Sequence, residues 1–243
     1  IIDTKTTHRM PRIRMDDMNV PSVVLHDVHL TLTAGSGPVN ILCGVSLRVE
    51  QGETLAVVGP SGSGKTTMLM LMAGLERPSA GLVQLAGKDL TSLGEDDLAR
   101  FRREHLGIVF QAFHLIPTMT ALENAALPLE FAHHPKARVR ALDALEQVGL
   151  GHRRNHYPAQ LAGGEQQRVA LARAFASRPN IILADEPTGN LDEETGARVM
   201  DLLFAMQTEE KTTLVMVTHD RSLAGRCSRT VAMHSGRMKR MEE

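Results

Sequence analysis

Net charge is almost absent from this sequence. Lys and Arg number 27 against 28 Asp and Glu, for a formal charge of -1, and the basic residues are scattered rather than gathered into a run. That balance gives no electrostatic footprint for nucleic acid, so no nucleic-acid partner is expected. Cysteine is scarce. Cys43 and Cys227 stand alone with no CxxC spacing, which argues against a disulfide framework or a zinc site and for free thiols in a reducing cytosol. No apolar run approaches the ~20 residues that cross a bilayer, and residues 1–20 lack a hydrophobic signal core. The chain is not expected to span a membrane by itself. Internal repeats and low-complexity tracts are missing as well.

What is present is a globular composition: 243 residues, 42% hydrophobic and 23% charged, enough to bury a sizeable core. Residues 1–20 mix polar, basic and acidic groups without period and read as a disordered tail before a single domain over 21–243. Short apolar runs alternate with helical patterns, which predicts an α/β fold. "TLAVVG", "LGIVF", "IILAD" and "TLVMVTHD" read as buried strands, each followed by polar or glycine residues. Their ends should point into one site. Between residues 95 and 175 the pattern is mostly helical, interrupted by Pro117, Pro128, Pro135 and Pro158, and reads as a helical subdomain inserted between sheet strands.

The strongest chemical signal is "GPSGSGKTT", Gly59, Pro60, Ser61, Gly62, Ser63, Gly64, Lys65, Thr66 and Thr67. It fits G-x-x-x-x-G-K-[ST] between a strand-like and a helix-like run, the context that a phosphate-binding loop requires. The glycines let successive N–H groups turn toward phosphates, and the helix start adds its positive end. Lys65 would neutralise phosphate oxygens, and the Thr66 hydroxyl would take a place on Mg²⁺. The following Met68, Met70 and Met72 do not share a helix face and read as core rather than as a metal ladder.

A cradle binds nucleotide without explaining hydrolysis. "IILADEPTGNLD" delivers Asp185 and Glu186 to the carboxyl end of an apolar strand. Asp185 is placed to hold Mg²⁺, and Glu186 to orient and deprotonate an attacking water. Gln111 ends "GIVFQ" and His219 follows "TLVMVT", both at strand-loop transitions. A further oddity is "LAGGEQQRVALARAF", an amphipathic helix introduced by Gly163 and Gly164 where Ser, Thr, Asp or Asn would cap better. Glycine there points to a close approach of backbone to something else.

Together these motifs resemble the ABC-type ATPases, the nucleotide-binding subunits of ATP-binding cassette systems. The match runs from about Val23 to Met238. Gly59 to Thr66 resembles the family's Walker A, Gln111 its Q-loop, Leu161 to Gln166 its signature, Ile181 to Glu186 its Walker B, Gly189 to Asp192 its D-loop and His219 its switch histidine. The resemblance implies a P-loop NTPase with a mixed, mostly parallel β core, an antiparallel β subdomain and the helical signature subdomain. It implies ATP and Mg²⁺, with Thr66, Gln111 and Asp185 toward the metal and Lys65, Gln111, Glu186 and His219 in catalysis. It also implies a head-to-tail dimer in which Gly163, Gly164 and Glu165 face the γ-phosphate held by a second copy.

Within the family, "FQAFHLIPTMTALENAALPL" and "DEPTGNLD" are similar to the LolD, MacB and FtsE group and especially to YbbA-like subunits. These are cytoplasmic, lie on the inner face of the plasma membrane and work with a separate integral membrane permease. Phe113, Leu115, Ile116 and Met119 then either form a groove for that permease or pack inside the helical subdomain. ABC-type ATPases of DNA repair, chromosome maintenance or translation are the alternative. The segment between Lys65 and Gly163 holds neither heptads nor a long insertion, and one cassette is present rather than two, which favours transport.

Two departures stand out. Position 162 is Ala where the family usually has Ser, so a hydroxyl donor to phosphate is missing; such a bond is worth ~1.5–3 kcal/mol, one or two powers of ten in turnover. The family's adenine-stacking aromatic aligns with Leu32, and the chain has no Trp and one Tyr. Poor discrimination between ATP and GTP is therefore expected. Competition between the two nucleotides checks this, and a large preference for ATP would contradict it.

Overall fold

The computed structural model describes residues 20–35 and 37–239. The tail expected over 1–20 lies outside the described residues except for Val20.

Two sheets form. Strands β1 (Val23–Ala34), β2 (Gly37–Val49), β4 (Ala80–Leu85) and β5 (Lys88–Asp89) make an antiparallel sheet in the order β2-β1-β4-β5. The second sheet has six strands: β3 (Thr54–Val58), β6 (Leu106–Val109), β7 (Ile181–Asp185), β8 (Thr213–Thr218), β9 (Arg229–His234) and β10 (Arg237–Lys239). Its order is β10-β9-β3-β8-β7-β6, with every pairing parallel except the edge hairpin β9-β10.

The apolar strand runs are continuous because both faces of the parallel sheet are covered. The pleat sends alternate residues to opposite sides. Leu55, Val57, Ile181, Leu183, Val215 and Val217 join a core with the antiparallel sheet and helix α1 (Lys65–Met72). Ala56, Ile182, Ala184, Leu214 and Met216 join a second core on the other side. That second core contains residues of α3 (Ala121–Phe131), α4 (Ala137–Gln147), α5 (Gly163–Phe175) and α6 (Glu193–Glu210). Helix α2 (Glu95–His105) adds Leu98 and Phe101 to the first core. Fully burying one such aliphatic side chain contributes ~1.5–3 kcal/mol, so both faces hold the sheet. Met68 and Met72 are fully buried while Met70 is 41% exposed, as the helix period requires.

Helices fill most of the 95–175 stretch, with β6 set among them. Pro128, read as an interruption, instead lies inside α3. A complete capping box nucleates that helix: Thr120 accepts from the Glu123 N–H, and Glu123 accepts from the Thr120 N–H. Packing of its Ala121, Ala125 and Leu129 face holds the last turn despite the lost bond. Cys43 and Cys227 are free and half-buried, and burial pushes the Cys227 thiol up to about 11, which keeps it protonated.

Helix α5 lies so close to β6 that a Cβ on Gly107 would sit 2.4 Å from the Ala174 carbonyl oxygen and 2.5 Å from Ile182 Cδ1. Gly107→Ala should therefore destabilise the protein by about 1–3 kcal/mol, read from the midpoint of urea unfolding. An unchanged midpoint would mean that α5 can shift away at no cost.

Candidate nucleotide site

The carboxyl ends of β3, β7 and β8 converge at one edge of the parallel sheet, where open α/β sheets place their ligands. From β3 the chain turns through Gly59 to Gly64 and enters α1 at Lys65. Gly64 is the N-cap, at φ 101° with no side-chain cap, so the first amides of α1 are left to face an anion. The Lys65 side chain is buried and donates to the carbonyl oxygens of Gly59 and Pro60, both at 2.9 Å. Its ammonium is thus pinned inside the loop it serves. The Ser63 hydroxyl is buried and has no hydrogen-bond partner among the described residues, a polar group suited to a bound phosphate.

Sequence reasoning missed what supports this loop. The Gly236 N–H donates to the Ser63 carbonyl at 3.0 Å, and the Cys43 N–H donates to the Gly236 carbonyl at 2.9 Å. A Cβ on Gly59 would meet the Met233 carbonyl oxygen at 2.1 Å. The β9-β10 hairpin therefore buttresses the phosphate loop from behind through its Gly236 and Met233.

Asp185 ends β7, and its Oδ1 accepts from the Thr66 hydroxyl at 3.1 Å. Burial is the main influence on this carboxyl and holds it above the usual carboxylate range, with the Glu186 charge adding to the rise and Thr66 and Lys65 opposing it. Glu186 follows at φ 46°, an uncommon conformation for a non-glycine residue. Its N–H donates to the Val217 carbonyl and its own carbonyl accepts from Gly189, both at 2.9 Å. The Glu186 Oε2 and His219 Nδ1 lie 2.5 Å apart. His219 reaches out with 71% of its side chain exposed, against 18% for Glu186. Backbone clamps and the histidine together aim one carboxylate.

Gln111 sits on the D-loop: a Cβ on Gly189 would meet the Gln111 Nε2 at 2.6 Å. Asn190 also donates to the Gln111 carbonyl at 3.0 Å. Ile41, Ser61, Gly62, Gly64, Lys65, Thr66, Thr67, Gln111, Glu186 and His219 line one cavity of about 570 Å³. Gly59 and Pro60 line a neighbouring cavity that shares His219. Hard oxygen donors converge at Thr66 and Asp185, a set suited to Mg²⁺ completed by phosphate and water.

Gly163, Gly164 and Glu165 do not line this cavity. Ala162 is the N-cap of α5 without a side-chain acceptor, and Glu165 alone closes the turn, accepting from the Ala162 N–H at 3.0 Å. The other oxygen of Glu165 pairs with Arg153 Nε at 3.0 Å. The two glycines differ. A Cβ on Gly164 would meet Thr195 Cγ2 at 2.2 Å, whereas one on Gly163 would make only ordinary contacts with Leu191 and Phe113 at 3.6 and 3.7 Å. Gly164 is explained by packing within the chain, and Gly163 is not.

The sequence profile of the ABC transporter family matches residues 42–189. The chain belongs to that family. It is similar to the uncharacterized ABC transporter ATP-binding protein YbbA of Escherichia coli K12, with 50% identity over 219 residues, 89% of this chain and 96% of YbbA. It is also similar to the lipoprotein-releasing system ATP-binding protein LolD of Pseudomonas fluorescens, 45% identical over 214 residues, 87% of this chain and 94% of LolD. Among solved structures, the dimeric post-hydrolysis state of the ATP-binding cassette MJ0796 bound to ADP and Pi superposes with a TM-score of 0.83. The two are 40% identical, and the match covers 91% of this chain and 99% of that one.

As an ABC transporter ATPase the chain binds and hydrolyses ATP, and the fold is that of the ABC cassettes. Leu32 lies opposite Val39 across β1-β2, and both are exposed, at 42% and 43%. Two residues back along β1 is the Leu30-Leu42 pair, whose Leu42 Cδ2 would be 2.9 Å from a Cβ on Gly64. Leu42 thus packs against the phosphate loop from the core, and the exposed pair at the position aligned with the family's aromatic ring is aliphatic.

The half-built cap of α5 is directly testable. Ala162→Ser supplies the missing acceptor for the first-turn amides, and thermal unfolding should show a gain of about 1 kcal/mol. No gain would mean that Glu165 already satisfies this end.

Proposed function

We propose that this chain is the ATP-hydrolysing subunit that closes as a head-to-tail dimer to drive a separate integral membrane permease, for export or mechanical transmission. It would work peripherally at the cytoplasmic face of the inner membrane; among the described residues no helix is long and apolar enough to cross one. The observation that carries the reading is the division of the site. The phosphate loop, Gln111, Glu186 and His219 share one cavity, while the Gly163-Gly164 helix start presents bare amides elsewhere, with no packing reason for glycine at 163.

In this reading the free backbone N–H groups between Ser61 and Thr67 and the Lys65 ammonium hold the triphosphate of ATP. Thr66 and Asp185, with Gln111, would hold Mg²⁺, which supplies positive charge against the phosphate oxygens. Glu186 takes the proton of the attacking water, and His219 keeps its carboxylate turned toward the γ-phosphate. Gly163 and Gly164 of a second copy, positioned by Glu165, offer N–H groups to that phosphate. Closure thereby completes catalysis, and ATP drives closure.

The permease would dock in a groove of about 290 Å³ lined by Leu106, Ile108, Phe110, Leu127, Pro128 and Phe131. Phe131 is 64% exposed there. Of Phe113, Leu115, Ile116 and Met119, all partly exposed, Leu115 packs on the second core.

Glu186→Gln should keep ATP binding, lower turnover at least a hundredfold and trap the dimer, as checked by steady-state hydrolysis and size-exclusion chromatography. Retained hydrolysis removes Glu186 as the base. With Ser61→Cys and Gly163→Cys in one chain, disulfides should form between chains when ATP and Mg²⁺ are supplied. Bridges only within a chain, or none, would overturn the dimer reading.

A further inference from the structure

The most enclosed polar side chain near the site was given no role by the motifs read above. Gln167 lies one turn into α5 and is fully buried. Its Nε2 donates to the Pro187 carbonyl at 2.6 Å and, at a longer 3.4 Å, to the Phe110 carbonyl. Pro187 follows Glu186, and Phe110 precedes Gln111. Both partners are acceptors, so the amide orientation is fixed, with NH₂ toward them. The Gln167 Oε1 is left buried with no partner among the described residues. A core built only for packing would place Leu or Met here and avoid an unsatisfied oxygen.

A second side chain of α5 repeats the pattern. Arg173 donates to the Phe113 carbonyl at 3.0 Å and to the His114 carbonyl at 2.6 Å. The backbone on both sides of Gln111 is therefore held by one helix, the helix whose first residues are Gly163 and Gly164. At Gln167 that same helix also holds the backbone next to Glu186.

We infer that Gln167 is a positioning residue: its buried amide ties the signature helix to the backbone flanking Gln111 and Glu186, so that the aim of the water-activating carboxylate depends on where the glycine end offered to a partner copy is held. The inference rests on the dimeric ATPase reading for its consequence, and on hydrogen bonds alone for its mechanical part. A linker of this kind should affect turnover more than nucleotide affinity, because none of the cavity-lining residues that would grip phosphate is changed.

The test compares Gln167→Leu with Gln167→Glu in the full chain. Gln167→Leu keeps the volume and removes both donors; kcat should fall at least tenfold, with the affinity of the isolated monomer for a fluorescent ATP analogue within twofold of the parent. Hydrogen exchange, read without nucleotide, should accelerate in residues 110–114 and 186–191 and stay unchanged in β1 and β2. Gln167→Glu can donate to Pro187 only when protonated, so its kcat relative to the parent should rise as pH falls, while Gln167→Leu shows a pH-independent deficit. Unchanged exchange in both segments of folded Gln167→Leu would overturn the mechanical link. Accelerated exchange with unchanged kcat would overturn the role in turnover. Absence of hydrolysis in the parent itself would instead strike the ATPase reading and leave the exchange result standing.

Discussion

A loop that binds triphosphate must keep a row of backbone amides aimed at one point without spending them on itself, and the surroundings of Gly59 to Gly64 are shaped by that demand. The Lys65 ammonium is fixed by two loop carbonyls. The β9-β10 hairpin braces the loop through Gly236 and Met233, and Leu42 of the antiparallel sheet presses against Gly64. Each brace acts on a carbonyl or an absent Cβ rather than on the amides that face an anion. The loop is rigid where it touches protein and open where it would touch phosphate.

The second half of the chemistry is organised by strand ends. β7 and β8 are parallel neighbours, so Asp185-Glu186 and His219 emerge side by side, and the left-handed turn at Glu186 is fastened by Val217 and Gly189. The similarity to the dimeric MJ0796 cassette and the lack of a packing reason for glycine at 163 both support the proposed division of the site between two copies. Packing within one copy accounts for the braced loop and for Gly164, and leaves Gly163 without a reason.

Parallel strands β3, β6, β7 and β8, the phosphate loop and the start of α1 were legible in the sequence because fully buried strands read as unbroken aliphatic runs and the loop motif is specific, whereas the largely unburied β9 was not. The antiparallel sheet was not legible from periodicity. β1 carries register shifts near Val28 and between Leu30 and Thr31, and Asp27 sits at φ 47°, so alternation is broken and only the family resemblance implied that sheet. Pro128 misled for a related reason, since a local rule yielded to a strong cap and a buried face. The hairpin brace, the Glu165-Arg153 pair and Gln167 were invisible, because each depends on residues brought together across long sequence separations that no local pattern encodes.

The alternating pleat has a wider consequence. Since odd and even residues of β7 and β8 belong to different cores, the parallel sheet acts as a partition wall. The antiparallel sheet and α1 pack on one side of it, and α3 to α6 pack on the other. A substitution in β7 or β8 therefore disturbs one core or the other according to the parity of its position.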